Sequence, residues 1–221
     1  MDRFIAPDMS KFTMATIRDM STFDSEQDHW QHNFILNTMF RAEVSAPRRQ
    51  QLFNFLRRCH SSFDEYALAR KSTLAFVLDR NLIGSYLDAI GHWEAYLAYS
   101  WQACCFLGGG TAKWFKQGDG TVTQRLHALH SRAKHADRAI RDGNFSDDDA
   151  PLCVWLTNDG LRSSETSLTF EEMAVFLEEL AELASVVQDP LTMSEKLKSL
   201  AENQYSYLAP TSSGTRPGAP A

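Results

Sequence analysis

An all-α fold, an antiparallel bundle of four or five long helices with one small β-hairpin inserted, is what this sequence predicts. Three observations lead there. Apolar residues recur at steps of three and four over long stretches, which is the spacing of one helical face. Pro47 and the triplet Gly108–Gly110 punctuate those stretches where helices start and stop. One short segment, near 152–168, has a different texture: Val154 and Trp155 favour a strand, and Asn158-Asp159-Gly160 is turn chemistry. The 221 residues are 43% hydrophobic and 23% charged, ordinary globular material for a single core.

Residues 1–24 show no strong period, and 26–42 read as a short helix or an arm, so 1–46 form an N-terminal arm on a bundle spanning 47–207. Pro47 suits a first helical turn. Beyond it Leu52, Leu56, Cys59, Phe63, Tyr66, Leu74 and Val77 mark one face, with a gap between Tyr66 and Leu74. The next helix runs from about Leu82 to Leu107. Its seam, read at alternating steps of four and three, is Ile83, Leu87, Ile90, Glu94, Leu97, Trp101 and Cys104. Gly108–Gly110 then supplies a left-handed exit; "GGGTAKW" lacks the spacing of a phosphate-binding loop.

A third helix spans Val122–Arg141, with Val122, Leu126, Leu129, Ala133, Ala136 and Ile140 as its stripe. An acidic loop, "GNFSDDDAP", follows and lacks the glycine and distal glutamate of a calcium loop. After the hairpin, Thr169 with Glu172 forms a capping box. It opens a helix striped by Phe170, Met173, Leu177, Leu180, Ala184 and Val187. Residues 194–208 add a last helix. The tail 208–221, rich in Pro, Gly, Ser and Thr, reads as disordered.

Charge and cysteines narrow the function. A net charge of −6 excludes a general nucleic-acid or membrane coat, though not a local basic site. No apolar run approaches the ~18 residues of a membrane span, and the start lacks a secretory apolar region, so a cytoplasmic protein without membrane contact is expected. Cys59, Cys104, Cys105 and Cys153 form no CxxC pair and read as reduced thiols. Glu26 and His29 make one ExxH, whereas a di-iron bundle needs two such helices. No metal or cofactor is expected.

The informative stretch is "LHSRAKHADRAIRDG", residues 129–143, with Arg132, Lys134, His135, Arg138 and Arg141 within ten positions. At ~100° per residue, Arg125, Arg132 and His135 share one flank of the apolar stripe. Arginine clamps phosphate bidentately, and histidine moves a proton near neutral pH. These three are the candidate catalytic residues. Glu94, His130 and Lys134 are the candidate binding residues. Glu94 has two readings. On the core seam, it needs a donor from the basic helix and can orient His135. At an exposed rim, it is explained by the drift of a helix against its heptad, about 20° per repeat. The bland alternative for the whole helix is a solvated face with pairs such as Asp137–Arg141. Likewise Trp93, Tyr96, Tyr99 and Trp101 read as core or dimer surface.

A long helical hairpin followed by a helix carrying Lys134-His135 resembles the HEPN superfamily of small helical bundles. In that family the corresponding helix often reads N-x-x-K-H; here Ser131 stands at the Asn. "WLTNDGL" and the Thr169 "TFEE" helix add to the similarity, which covers roughly 48–188. Active HEPN ribonucleases carry an Arg, a polar residue next to it, and a His with four to six residues between, and two protomers cleave RNA without metal. This chain departs from the pattern. Arg125 and His130 have the spacing, but Leu126 follows the Arg and the two side chains point about 140° apart. The resemblance implies a homodimeric, non-catalytic module that binds a nucleotide, RNA or a protein partner. The alternative it implies is a metal-independent ribonuclease acting in stress or phage defence.

Overall fold

The computed structural model describes residue 2 and residues 4–79, 82–108, 114–142 and 151–193. The chain is helical with a small antiparallel sheet. The helices are α1 (Asp24–Phe40), α2 (Ala46–Leu78), α3 (Ile83–Leu107), α4 (Val122–Lys134), α5 (Ala136–Arg141) and α6 (Phe170–Val187). The strands β1 (Trp155–Leu156), β2 (Gly160–Arg162) and β3 (Ser167–Thr169) lie between α5 and α6. The last helix expected over 194–208, the tail, Gly109, Gly110 and most of the acidic loop lie outside the described residues.

The framework is the α2–α3 hairpin. Residues late in α2 meet residues early in α3: the rings of Phe76 and Tyr86 lie 5.1 Å apart and those of Tyr66 and Trp93 5.3 Å apart. The gap in the α2 stripe is filled by Ala69 and Thr73, both buried. Thr73 belongs there because its Oγ1 accepts the Trp93 Nε1–H at 3.0 Å, so the buried indole keeps a partner.

The buried face of α3 keeps Ile90, Leu97 and Cys104 of the expected seam but is broader and excludes Leu87. The buried positions are Tyr86, Ala89, Ile90, Trp93, Tyr96, Leu97, Ser100, Ala103 and Cys104, while Leu87 is exposed. The large aromatics decide this. Trp93 and Tyr96 are fully buried and bring large apolar areas to the core, and the Tyr96 hydroxyl reaches the Met173 carbonyl at 3.0 Å. Glu94 therefore sits at the rim.

The capping box at α6 forms as expected, with Thr169 and Glu172 satisfying each other's backbone. Every residue of its expected stripe is buried. The expected hairpin is a three-stranded meander in the order β1-β2-β3, with Leu161 opposite Leu156 on one side and Leu168 on the other. Gly160 faces Thr169 across it. Gly108 caps α3 in the right-handed region, at φ −73°; the rest of the triplet expected to supply a left-handed exit lies outside the described residues.

The expected single helix Val122–Arg141 is interrupted. His135 has φ −111° and ψ 28°, ending α4 and starting the short α5. Leu126 and Leu129 are buried, but Ile140 is 60% exposed, so the chain leaves the core at the break.

Candidate functional site

Thr121 caps α4 by accepting the Gln124 N–H. The loop before it is held by Asp119, which accepts both the N–H and the hydroxyl of Thr121 at 2.9 and 2.8 Å. Gly118 and Gly120 provide the positive φ this turn requires. So anchored, α4 presents one side to an open groove of about 360 Å³. His127, Ser131 and Arg132 enter it from α4, His135 from the break and Arg138 from α5. Phe115 and Gln117 line it from the segment before α4, and Glu165 from the β2–β3 turn.

Arg132 and His135, expected together, both line this groove. Arg125 does not. Its guanidinium donates to Glu172 at 2.5 and 3.1 Å, to the Ser167 carbonyl at 3.0 Å and to the Gly120 carbonyl at 3.1 Å. It ties the start of α4 to the capping box of α6. The Arg125 hydrogen bonds hold the Glu172 carboxyl below its ordinary value, helped by the Thr169 backbone and hydroxyl. Lys134 is exposed and outside the groove lining. His130 is half-buried and also outside it; burial lowers its pKa, with Lys134, His127 and His135 adding to the effect.

Glu94 is half-buried, and burial raises its carboxyl pKa. It makes no hydrogen bond or ion pair among the described residues, so the expected link to His135 is not formed. Its charge is felt at the Cys153 thiol. That thiol is pushed up by burial, eased by Arg132 and raised further by Glu94. Burial likewise pushes up the other three thiols. A raised thiol pKa leaves less thiolate at neutral pH and makes each a poorer nucleophile.

Three features of the groove escaped the sequence reading. His127, expected on the solvent side, packs instead against Trp101 and Phe115, with centroids 4.3 and 5.2 Å away. Burial there lowers its pKa, keeping the ring neutral near pH 7. Its Nε2 lies 3.3 Å from the Ser131 hydroxyl. Glu165 and Ser164 come from a turn 32 and more residues away and meet Arg132 at 3.6 and 3.4 Å. Of these residues only Trp101 was singled out by its aromatic character beforehand, and nothing in the sequence joins it to His127.

The groove holds two guanidiniums and an imidazole beside an aromatic wall, so it suits an anion attached to a planar or apolar body. Proton transfer is less well provided for, since His135 makes no side-chain hydrogen bond among the described residues to fix its tautomer. Among the described residues no three His, Cys, Asp or Glu side chains converge as a metal site, and no helix is long and apolar enough to cross a membrane. No family model matches the sequence, no curated protein matches it, and no solved structure matches the fold.

Proposed function

We propose that this chain is a HEPN-like helical module whose groove along α4 and α5 binds an anionic ligand, RNA or a nucleotide, without cleaving it. The observation that carries the reading is the convergence of Arg132, His135 and Arg138 on one groove walled by Phe115 and His127. Guanidiniums supply bidentate phosphate contacts and the aromatic wall supplies a stacking face. The same geometry weighs against ribonuclease chemistry. Arg125 is committed to Glu172, and His135 lacks an orienting carboxylate among the described residues. The HEPN resemblance adds a homodimer as the working assembly, which sedimentation tests directly.

Fluorescence anisotropy with a short labelled single-stranded RNA, and competition by ATP, tests the binding. Arg132→Ala and Arg138→Ala should each weaken it about tenfold, the scale of a charge-assisted hydrogen bond. Affinity should fall with rising salt as counterions are released. Binding that ignores both arginines would remove the groove from consideration. RNA cleavage in EDTA that disappears in His135→Ala would replace the binding module by an enzyme.

A further inference from the structure

We infer that Glu165 is a built-in counter-anion, seated where a ligand's anionic group binds and displaced by it. The inference rests on the groove reading above. It adds a specificity-determining residue that no sequence motif marks.

The β2–β3 turn is built to hold Glu165 in place. Ser163 is buried, and its Oγ accepts the N–H groups of Glu165 and Thr166 at 3.3 and 3.2 Å. Its own N–H donates to the Thr166 carbonyl at 2.8 Å. The turn backbone is thereby held in one shape. From it the Glu165 carboxylate meets Arg132 Nη1 at 3.6 Å, and the adjacent Ser164 hydroxyl accepts from Nη2 at 3.4 Å. Two oxygens from one rigid turn thus contact the two terminal nitrogens of one guanidinium, as a bound oxyanion does.

The two partners differ in accessibility. The Arg132 side chain is 21% exposed and Glu165 is 72% exposed. The carboxylate can turn into water at a modest cost, because a pair with one exposed partner is weak without being worthless. The guanidinium stays in the groove wall. Arg138 of α5 contacts Asp142, just past the helix end, at 3.5 Å; there the arginine is the more exposed partner, 77% against 48%, but the pair is again a weak surface one, so both groove arginines carry an easily removed carboxylate. A ligand must therefore outcompete a carboxylate at each arginine. That favours phosphoryl groups with more than one negative charge over singly charged carboxylates.

The test is titration of the full chain with pyrophosphate by calorimetry, comparing wild type with Glu165→Gln. Removal of the competitor should tighten binding at least threefold, with the gain abolished when Arg132→Ala is added. Glu26→Gln on α1 is the control for net charge, since screening beyond a Debye length makes a distant carboxylate nearly silent. An unchanged or weaker affinity in Glu165→Gln, alongside Arg132-dependent binding by wild type, overturns the inference and leaves the groove reading intact. An equal gain in Glu26→Gln also overturns it. If neither wild type nor Glu165→Gln binds pyrophosphate or RNA, the groove reading falls and this inference with it. Circular dichroism of each variant separates loss of fold from loss of binding.

Discussion

Gly160 shows how much one hydrogen atom can decide. A Cβ built there would lie 2.1 Å from the Leu168 carbonyl oxygen and 2.7 Å from the Thr169 Cα, both backbone atoms of β3. Neither can move without parting the strands, so Gly160→Ala should cost about 1–3 kcal/mol, the usual range for overpacking. Urea unfolding measures it, and a loss below a few tenths would show that the meander yields. The Asn-Asp-Gly turn was legible, but the close approach was not, because it depends on the third strand. His127 carries a second residue-scale prediction. Burial between Trp101 and Phe115 lowers its pKa, so the folded state takes up its proton less readily than the unfolded chain. The stability it contributes is complete above the ordinary value of 6.5 and is lost as pH falls below it. His130 has the same sign. Proton NMR should find the His127 ring titrating below 6.5, and a His127→Phe variant should lose less stability than wild type on acidification from pH 7 to 5. A His127 midpoint at or above 6.5 would contradict this packing.

Helix α6 and helix α4 differ in what marks their ends. The start of α6 is written locally: Thr169 and Glu172 are three apart, and their side chains satisfy each other's backbone. Thr169→Ala should therefore cost about 1 kcal/mol, read as a lowered melting temperature, and more if Arg125 loses its grip on Glu172 as well. A melting temperature equal to that of wild type would mean that packing alone holds this end. The stripe of α6 was equally legible, since its spacing is regular and one face is buried along its whole length. The end of α4 was not. Ala136 and Ile140 extend the helical spacing past His135, yet among the described residues Ile140 is left 60% exposed. Periodicity reports what could be buried; only the surrounding elements determine what is. The α3 seam illustrates the same point. Its alternating pattern through Glu94 was one of two available, and Trp93 and Tyr96 selected the other by filling the space against α2 and α6. Of the candidate site, the pairing of Arg132 with His135 could be read from spacing along one helix. The opposing wall and Glu165 could not, because they arrive from segments distant in sequence.

Across the whole molecule, the segment before α1 carries the least periodic sequence and yet joins the common core. Ala6, Met9, Phe12, Ile17 and Met20 are all buried there. Phe12 stacks on Phe76 of α2 at 5.6 Å and meets Tyr86 of α3 edge-on. Its backbone contacts reach three other parts of the fold. Asn158 accepts the N–H groups of Thr13 and Met14 at 3.0 and 3.2 Å, Tyr66 and Arg70 of α2 donate to the carbonyls of Arg18 and Ile17, and Leu152 donates to Ile5. Arg18 in turn pairs with Glu171 and Glu178 of α6. Two 3-10 turns, Met9–Lys11 and Ser21–Phe23, pair part of its backbone internally, and these partners satisfy polar groups between and beyond the turns. That is why it shows no helical or strand period: each buried residue fits a separate hollow. Such a segment cannot unfold alone without exposing Phe76 and Tyr86 and orphaning the groups that hold it. Phe12→Ala should consequently destabilise the entire molecule by about 3–5 kcal/mol, with tryptophan fluorescence and far-ultraviolet circular dichroism still changing in a single coincident transition. Two separate transitions, with the helices melting at the wild-type midpoint, would show that the segment is an appendage and that the core is complete without it.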